Sequence, residues 1–407
     1  MGFTVEHECP QCGAKVQLDE ADHILTCPYC DVKSLILVSD YYRFVLPHKT
    51  VNKDIIYAPY LRFKGTVYYC KDMEIGYRII DITRVGLRIR GLPISLGLRP
   101  QAMNMKFVTP DVKGSFLKFT LKSTELIEKA GKFFPNAQSE EIFHHTYIGE
   151  TVSIIYLPLY MEGNRLFDAI LQRPIAKFSK DSQLFTHIKR EVGWKLTFVP
   201  TLCPQCGWDM KADKDSIVLI CKNCDTAWEI SKGKFIRIRI LTVQNQAHKS
   251  IYLPFWRISV VANGVEINSF ADFIRFTNQP KALAEEWEQQ EMAFWEPAFK
   301  IRPKIFLNLS KRLTLSQCSL RVEDMIPEKN IYPVTLPWIE AVQGIKLTLA
   351  SSTLNKKRVL PLLSSIRFEV KRVTLIYLPF MDTGHEMIQQ QMCLSINKKA
   401  MEFGRSL

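Results

Sequence analysis

Eight of the eleven cysteines stand in Cys-x-x-Cys pairs: Cys9/Cys12 with Cys27/Cys30, and Cys203/Cys206 with Cys221/Cys224. Displacing the first quartet by 194 residues lays it on the second without a gap. Each reads Cys-Pro-Gln-Cys-Gly, then Cys-x-x-Cys-Asp, with fourteen residues between the inner ligands. One such turn presents two thiolates from a tight loop, and two turns complete the tetrahedron that zinc prefers. Pro stiffens the turn, and Gly supplies the positive φ needed after the second ligand. Four thiolates also close the coordination sphere, removing the open position a catalytic metal needs. The spacing therefore predicts two structural Zn2+ ions, which contribute much of the folding free energy of such small modules. The leftover Cys70, Cys318 and Cys393 read as small buried hydrophobes.

With the cysteines as register marks, a duplication emerges. Ile56-Tyr57-Ala58-Pro59-Tyr60 follows the first quartet, and Ile251-Tyr252-Leu253-Pro254-Phe255-Trp256 follows the second at nearly the same distance. A third marker closes each half: Ile155-Tyr156-Leu157-Pro158 corresponds to Ile376-Tyr377-Leu378-Pro379-Phe380 at an offset of 221. At that offset Leu166 falls on Met387, Phe167 on Ile388 and Ile175 on Ile396. The offsets differ by 27, so the second half holds an insertion of about that length, and Ala282–Phe294 is a candidate for part of it. The expected order is a first zinc ribbon over 1–40 and a β-rich domain over 41–195. A second ribbon over 196–232 and a duplicate β-rich domain over 233–407 follow.

The expected fold class is α+β with antiparallel sheets. Phe235–Ile240 alternates apolar and basic residues, putting Arg237 and Arg239 on one face, and Leu87–Arg90 repeats the pattern. Ser115–Leu121 and Ile366–Leu375 also read as strands. Helices are predicted over Ser123–Phe134 and Ala282–Phe294, and for the short segments after Gly163 and Gly384.

The net charge is +13, unevenly distributed. Residues 1–50 hold 4 Lys+Arg against 7 Asp+Glu, whereas residues 201–250 hold 8 against 5. A diffuse basic excess favours anionic partners without naming one. No apolar run reaches the ~18–20 residues of a spanning helix, although peripheral membrane contact stays open. The N-terminus has neither the basic nor the apolar region of a signal peptide, which points to a cytoplasmic protein in a reducing compartment.

The cysteine quartets resemble the four-cysteine zinc-ribbon family of transcription factors, polymerase subunits and ribosomal proteins, around residues 7–33 and 201–228. That resemblance implies a fold and zinc, and no activity, since ribbons serve as nucleic-acid binders, docking modules and folding staples alike. A rubredoxin-like iron site and a disulfide in one quartet are the alternatives. Tyr252-Leu253-Pro254-Phe255-Trp256 also resembles an element of bacterial paired-zinc-ribbon proteins associated with membrane stress, which implies an assembly factor.

Pro lacks the donor a central strand requires, so each Tyr-x-Pro motif belongs at a strand edge, start or bulge. Two roles are open to its aromatics, Tyr57, Tyr60, Tyr156, Tyr252, Phe255, Trp256, Tyr377 and Phe380. They plug the cores of the sheets, or they form a surface that docks a partner. Trp295-Glu296-Pro297 reads as a degenerate further copy. Nucleophile elbows, His-Glu-x-x-His and phosphate-cradling loops are missing from the sequence, and His144-His145 is the one histidine pair. A non-enzymatic scaffold or adaptor that binds proteins is therefore expected. Nucleic-acid binding through basic strand faces (Arg88/Arg90 and Arg237/Arg239) is the alternative.

Overall fold

Strand takes 46% of the described residues and helix 17%, as the many β-branched and aromatic runs require. The computed structural model describes residues 2–38, 40–87, 91–119, 142–177, 194–231, 234–243, 250–317 and 321–405. Two compact units result. Unit 1 comprises Met1–Lys64, Ile80–Ala137 and Glu150–Thr201; unit 2 comprises Gly65–Ile79, Gln138–Gly149 and Leu202–Leu407.

In unit 1, β1 (Thr4–Glu8) and β2 (Lys15–Asp19) form one hairpin, and β3 (Ile24–Thr26) and β4 (Lys33–Leu37) another. They are followed by β5 (Tyr42–Val45), β6 (Ile55–Lys71), β7 (Glu74–Val85), β8 (Met105–Phe107) and β9 (Ser115–Phe116). Then come β10 (Ile142–Glu162), β11 (Arg165–Asp168), β12 (Arg173–Lys177) and β13 (Thr197–Pro200); the stretches of β6, β7 and β10 within Gly65–Ile79 and Gln138–Gly149 are counted with unit 2. A ten-stranded sheet runs β12-β11-β10-β5-β8-β1-β2, with β6 paired to β10, β7 and β9, while β13, β4 and β3 form a small second sheet. Phe3, Val5, Phe44, Tyr60, Ile155 and Leu157 share the principal core, together with Cys9 and Cys27.

In unit 2, β14 (Val218–Cys221), β15 (Thr226–Ser231) and β16 (Lys234–Ile238) make a three-stranded antiparallel sheet. A seven-stranded sheet contains β17 (Ile240–Val243), β18 (Ser250–Asn263), β19 (Ala293–Pro297), β20 (Val322–Glu323) and β21 (Arg367–Asp382). It is completed by β22 (Glu386–Gln389) and β23 (Leu394–Asn397), in the order β19-β18-β21-β17-β20 with β22 and β23 continuing from β21. The helices Pro303–Ser316 and Trp338–Ser352 contribute Phe306, Leu309, Leu313, Ile345 and Leu349 to its core. Tyr68, Cys70 and Ile148, from the early segments of the chain, belong to that same core, and Gly149 N–H donates to Glu340 Oε2 at 2.6 Å.

The same pairings recur in both halves. β5 runs parallel to β10, with Tyr156 opposite Val45; β17 runs parallel to β21, with Tyr377 opposite Thr242. β10 then turns back into β11, with Tyr160 opposite Phe167, just as β21 turns into β22, with Met381 opposite Ile388. β5 pairs antiparallel with β8, and β17 with β20.

The prolines explain themselves in this register. Tyr252 lies opposite Pro379 and Pro254 opposite Tyr377, so two Tyr-Leu-Pro motifs face one another across β18 and β21. Main-chain bonds from Tyr252 run outward, to Asn330 and from Tyr332, which makes the Tyr252–Pro379 position one that exchanges no hydrogen bonds. On its other side β21 pairs with β17 up to Tyr377 and with β22 from Met381. Pro379 therefore falls in the gap between two neighbours and forfeits no ladder bond. Pro158 sits likewise between the β5 and β11 pairings.

Several expectations are corrected. The sheets are mixed rather than antiparallel, since β5–β10, β17–β21, β1–β8 and β6–β9 are parallel pairs. Only Glu286–Gln289 of Ala282–Phe294 is helical; Gln290 turns extended, and Phe294 joins β19 opposite Ile258. The segments after Gly163 and Gly384 are strands, β11 and β22, because each closes a hairpin back onto the long strand before it. Of Ser115–Leu121, Ser115–Phe116 is strand. Cys393 is exposed rather than buried, while Cys70 is buried. Ser123–Phe134, Arg88, Arg90 and Cys318 lie outside the described residues.

Candidate metal centres

Each quartet is built from two turns with one hydrogen-bond pattern. Gly13 N–H donates to Cys9 O at 2.9 Å and Cys9 N–H to Ala14 O at 2.8 Å; Gly207 and Trp208 repeat this around Cys203, both at 2.8 Å. Gly13 and Gly207 take φ of 74° and 71°, the left-handed region that glycine enters without strain. Asp31 and Asp225, directly after the fourth cysteines, also have positive φ, 55° and 50°. In the first site Cys9 and Cys27 are buried and Cys12 and Cys30 exposed; in the second Cys203 and Cys221 are buried, Cys224 is half-buried and Cys206 exposed.

Within each quartet the four sulfurs lie within 4.8 Å of one another. Cys9–Cys30 and Cys12–Cys27 are 3.7 Å apart, Cys203–Cys224 3.6 Å and Cys206–Cys221 3.5 Å. A disulfide requires about 2.05 Å, whereas four sulfurs held about 2.3 Å from a central ion stand roughly 3.8 Å apart. These eight cysteines are free thiols disposed as two four-sulfur cages, and two metal ions fit them. The cages favour ionisation at one corner. Burial opposes ionisation of Cys203, but hydrogen bonds from Thr226, from the Cys206 and Gln205 N–H groups and from Cys224 outweigh it and bring the thiol to about 6. At Cys9, burial is similarly outweighed, by the Cys12 and Gln11 N–H groups and the thiols of Cys27 and Cys12, and its value falls to about 7.

The sites differ in what surrounds them. Thr226 Oγ1 lies 3.1 Å from Cys224 Sγ and 3.6 Å from Cys203 Sγ. Because Thr226 Oγ1 accepts the Trp228 indole N–H at 3.0 Å, its own proton is free to point at sulfur. The corresponding residue at the first site is Val32, which has no such proton. The first ribbon instead carries a buried ionic network in unit 1, at the end of the β1–β2 hairpin away from Cys9. Glu20 pairs with Arg62 and, at 2.8 Å, with Lys64, and Arg62 grips Asp81 with two bonds of 2.8 and 2.9 Å.

Burial assigns the Tyr-x-Pro aromatics to the cores. Tyr57, Tyr60, Tyr156, Phe255, Trp256, Tyr377 and Phe380 are buried, and Tyr252 is half-buried. The docking surface considered for these side chains is thereby replaced by a packing role. Trp295 and Glu296 of the degenerate copy are buried in β19 as well. Glu296 is a residue that sequence reasoning missed. Its Oε1 accepts from Thr348 Oγ1 at 2.5 Å, and its Oε2 lies 2.5 Å from Ser310 Oγ, whose single proton can serve Phe306 O at 2.9 Å. A neutral carboxyl that donates to Ser310 satisfies this chain of bonds, and burial pushes the group up to about 8. The helix Trp338–Ser352 passes so close that a Cβ at Gly344 would stand 3.2 Å from this carboxyl. His144 and His145 point differently along β10, half-buried and exposed, as adjacent strand residues must.

Among the described residues no helix is long and apolar enough to cross a membrane. No protein-family model, no curated protein and no solved structure matches this chain.

Proposed function

We propose that the chain is a non-enzymatic cytoplasmic scaffold or adaptor, built as two tandem ribbon-plus-sheet copies, each stapled by one structural zinc ion, and that it binds partner proteins. The observation that carries this reading is the pair of closed four-sulfur cages. Cys9, Cys12, Cys27 and Cys30 would hold one ion and Cys203, Cys206, Cys221 and Cys224 the other. A bound ion there supplies folding free energy and leaves no position for a substrate. The strand pairings repeated between the halves support the tandem copies. Apolar side chains left exposed, Ile94 and Leu98 in unit 1 and Ile236 on the outermost strand of the three-stranded sheet, offer contact to a protein partner.

Affinity purification of the full chain, with nuclease treatment and a high-salt wash, tests the reading when metal content is measured on the same sample. A protein partner retained alongside two zinc ions is the expected result. Loss of every protein with retention of RNA or DNA at low salt would replace it by a nucleic-acid-binding function.

A further inference from the structure

The duplication provides an internal control for the second ribbon. Whatever a ribbon needs in order to fold should be present in both copies, and what only one copy carries is spare. Ligands, glycines and left-handed aspartates are common to both. The second copy alone carries Trp208, Lys211, Lys214 and Lys222, where the first has Ala14, Gln17, Glu20 and Pro28.

Two of these lysines, Lys211 and Lys222, come together in unit 2. Lys211 forms a two-way main-chain bridge with Ile220, at 2.8 and 3.1 Å, two residues before Lys222. Lys222 Nζ donates to the carbonyl of Glu328, which places Lys329 beside it. All three lysines are exposed. The carboxylates of the intervening loop, Asp213 and Asp215, are engaged by Arg405, which leaves Asp225 and Glu328 as the acidic neighbours of Lys222 against Lys211 and Lys329. Trp208 is 61% exposed, on the knuckle three residues before Lys211. An indole left in water costs free energy that the ribbon fold does not need to spend, as Ala14 demonstrates in the other copy.

We propose that Lys211, Lys222 and Lys329 with Trp208 form a binding site for single-stranded nucleic acid, the lysines meeting phosphates and the indole stacking on a base. Like charges crowded on one face suit a polyanion that releases counterions on binding. A flat aromatic beside them suits a ligand that has both phosphates and π-faces. An acidic peptide or a lipid headgroup would use the lysines but has no base to stack. The site is carried by the cysteine turns themselves, with Lys222 between Cys221 and Cys224 and Trp208 two residues after Cys206, and it does not depend on the adaptor reading.

The test is fluorescence anisotropy of a labelled oligouridylate, about fifteen nucleotides long, titrated with full-length protein over a series of salt concentrations. Three proteins are compared: the wild type, the triple variant Lys211→Gln/Lys222→Gln/Lys329→Gln, and the control triple Lys304→Gln/Lys357→Gln/Lys371→Gln, which removes equal charge elsewhere in unit 2. The site triple is expected to lower the slope of log affinity against log salt by about 2, at roughly 0.7 per phosphate contact, and the control to leave it. Trp208→Ala is expected to weaken binding about five- to hundredfold without changing the slope. Metal content, unchanged in every variant, verifies that the ribbon is folded. Equal loss in both triples, no effect of Trp208→Ala, or no binding by the wild type would overturn the site. So would oligoglutamate or phosphatidylserine vesicles competing as well as unlabelled oligouridylate.

Discussion

The two cysteine cages have the same sulfur spacing and the same turns, yet they are anchored by different means. The first is joined by main-chain bonds. β1 extends the ten-stranded sheet through β8, and β13 adds to β4 from the far end of the half. Its acidic residue Glu20 is buried against Arg62 and Lys64. The second keeps a three-stranded sheet of its own and is held mainly by packing of Val218, Ile220 and Ala227 and by the Arg405 clamp, with one main-chain bond from Ile217 N–H to Val334 O at 2.9 Å. Its lysines Lys211, Lys214 and Lys222 stay in solvent, while Glu229 on β15 is buried. A ribbon woven into a sheet has its surface committed, whereas one docked by side chains keeps its face available.

The largest effect should come from the metal ligands. Cys27→Ser and Cys203→Ser should each reduce the bound metal from two ions to one, at a cost on the order of 10 kcal/mol to the local fold. Hydrogen exchange should show the first loosening the ten-stranded sheet and the second confined to unit 2, with the other ion retained. Loss of both ions in either variant would break the comparison.

Next are the buried charges. Glu20→Ala leaves Arg62 and Lys64 short of a partner in the core and should cost about 3–5 kcal/mol in denaturant unfolding. Lys214→Ala, at the corresponding exposed position, should stay within about 0.5 kcal/mol. Similar costs at both positions would contradict the contrast in anchoring.

Glu296 offers a contrast in protonation, because Glu20 is charged and paired whereas Glu296 is neutral. Its folded value, about 8, lies above the unfolded 4.5. As pH rises between those values the unfolded chain ionises first, so the stability of unit 2 should fall by up to about 1.4 kcal/mol per pH unit and level off above 8. Glu296→Gln, neutral at every pH, should reduce this slope and leave the share of Glu229, which burial raises to about 7. A wild-type curve already flat there would mean that Glu296 is ionised in the core.

The smallest effect is expected at the position that distinguishes the sulfur surroundings. Thr226→Val should weaken metal retention at the second site by about tenfold in chelator competition, towards the behaviour of the first site with Val32. No change would mean that the Thr226 hydroxyl does not support the thiolates.

Ligand spacing was legible in the sequence because it rests on a local rule, two thiolates per turn. The Tyr-x-Pro motifs were misplaced at a strand edge, start or bulge, since Pro254 and Pro379 lie inside central strands where the pairing leaves no ladder bond to lose. Helices were hardly legible: of the expected Ala282–Phe294 only Glu286–Gln289 is helical, and neither long helix was expected. Trp338–Ser352 buries Ala341, Gly344, Ile345, Leu347, Thr348, Leu349 and Ala350, leaving little of the polar stripe that marks an amphipathic helix. Ile305–Ser310 alternates in a way that suits a strand, yet Pro303 starts a helix there. Glu296 was illegible for another reason. Nothing in Trp-Glu-Pro signals that Ser310 and Thr348, distant in the chain, converge on its carboxyl. The lysines around Trp208 were visible singly, but Lys329 reaches them only through the fold.

X-ray absorption with metal quantitation on the purified full chain addresses the two four-sulfur cages directly. Two zinc ions per chain, each with four sulfurs at about 2.3 Å and no lighter donor, is the expected result. Fewer than two ions, an oxygen or nitrogen in either shell, or iron in place of zinc would contradict it.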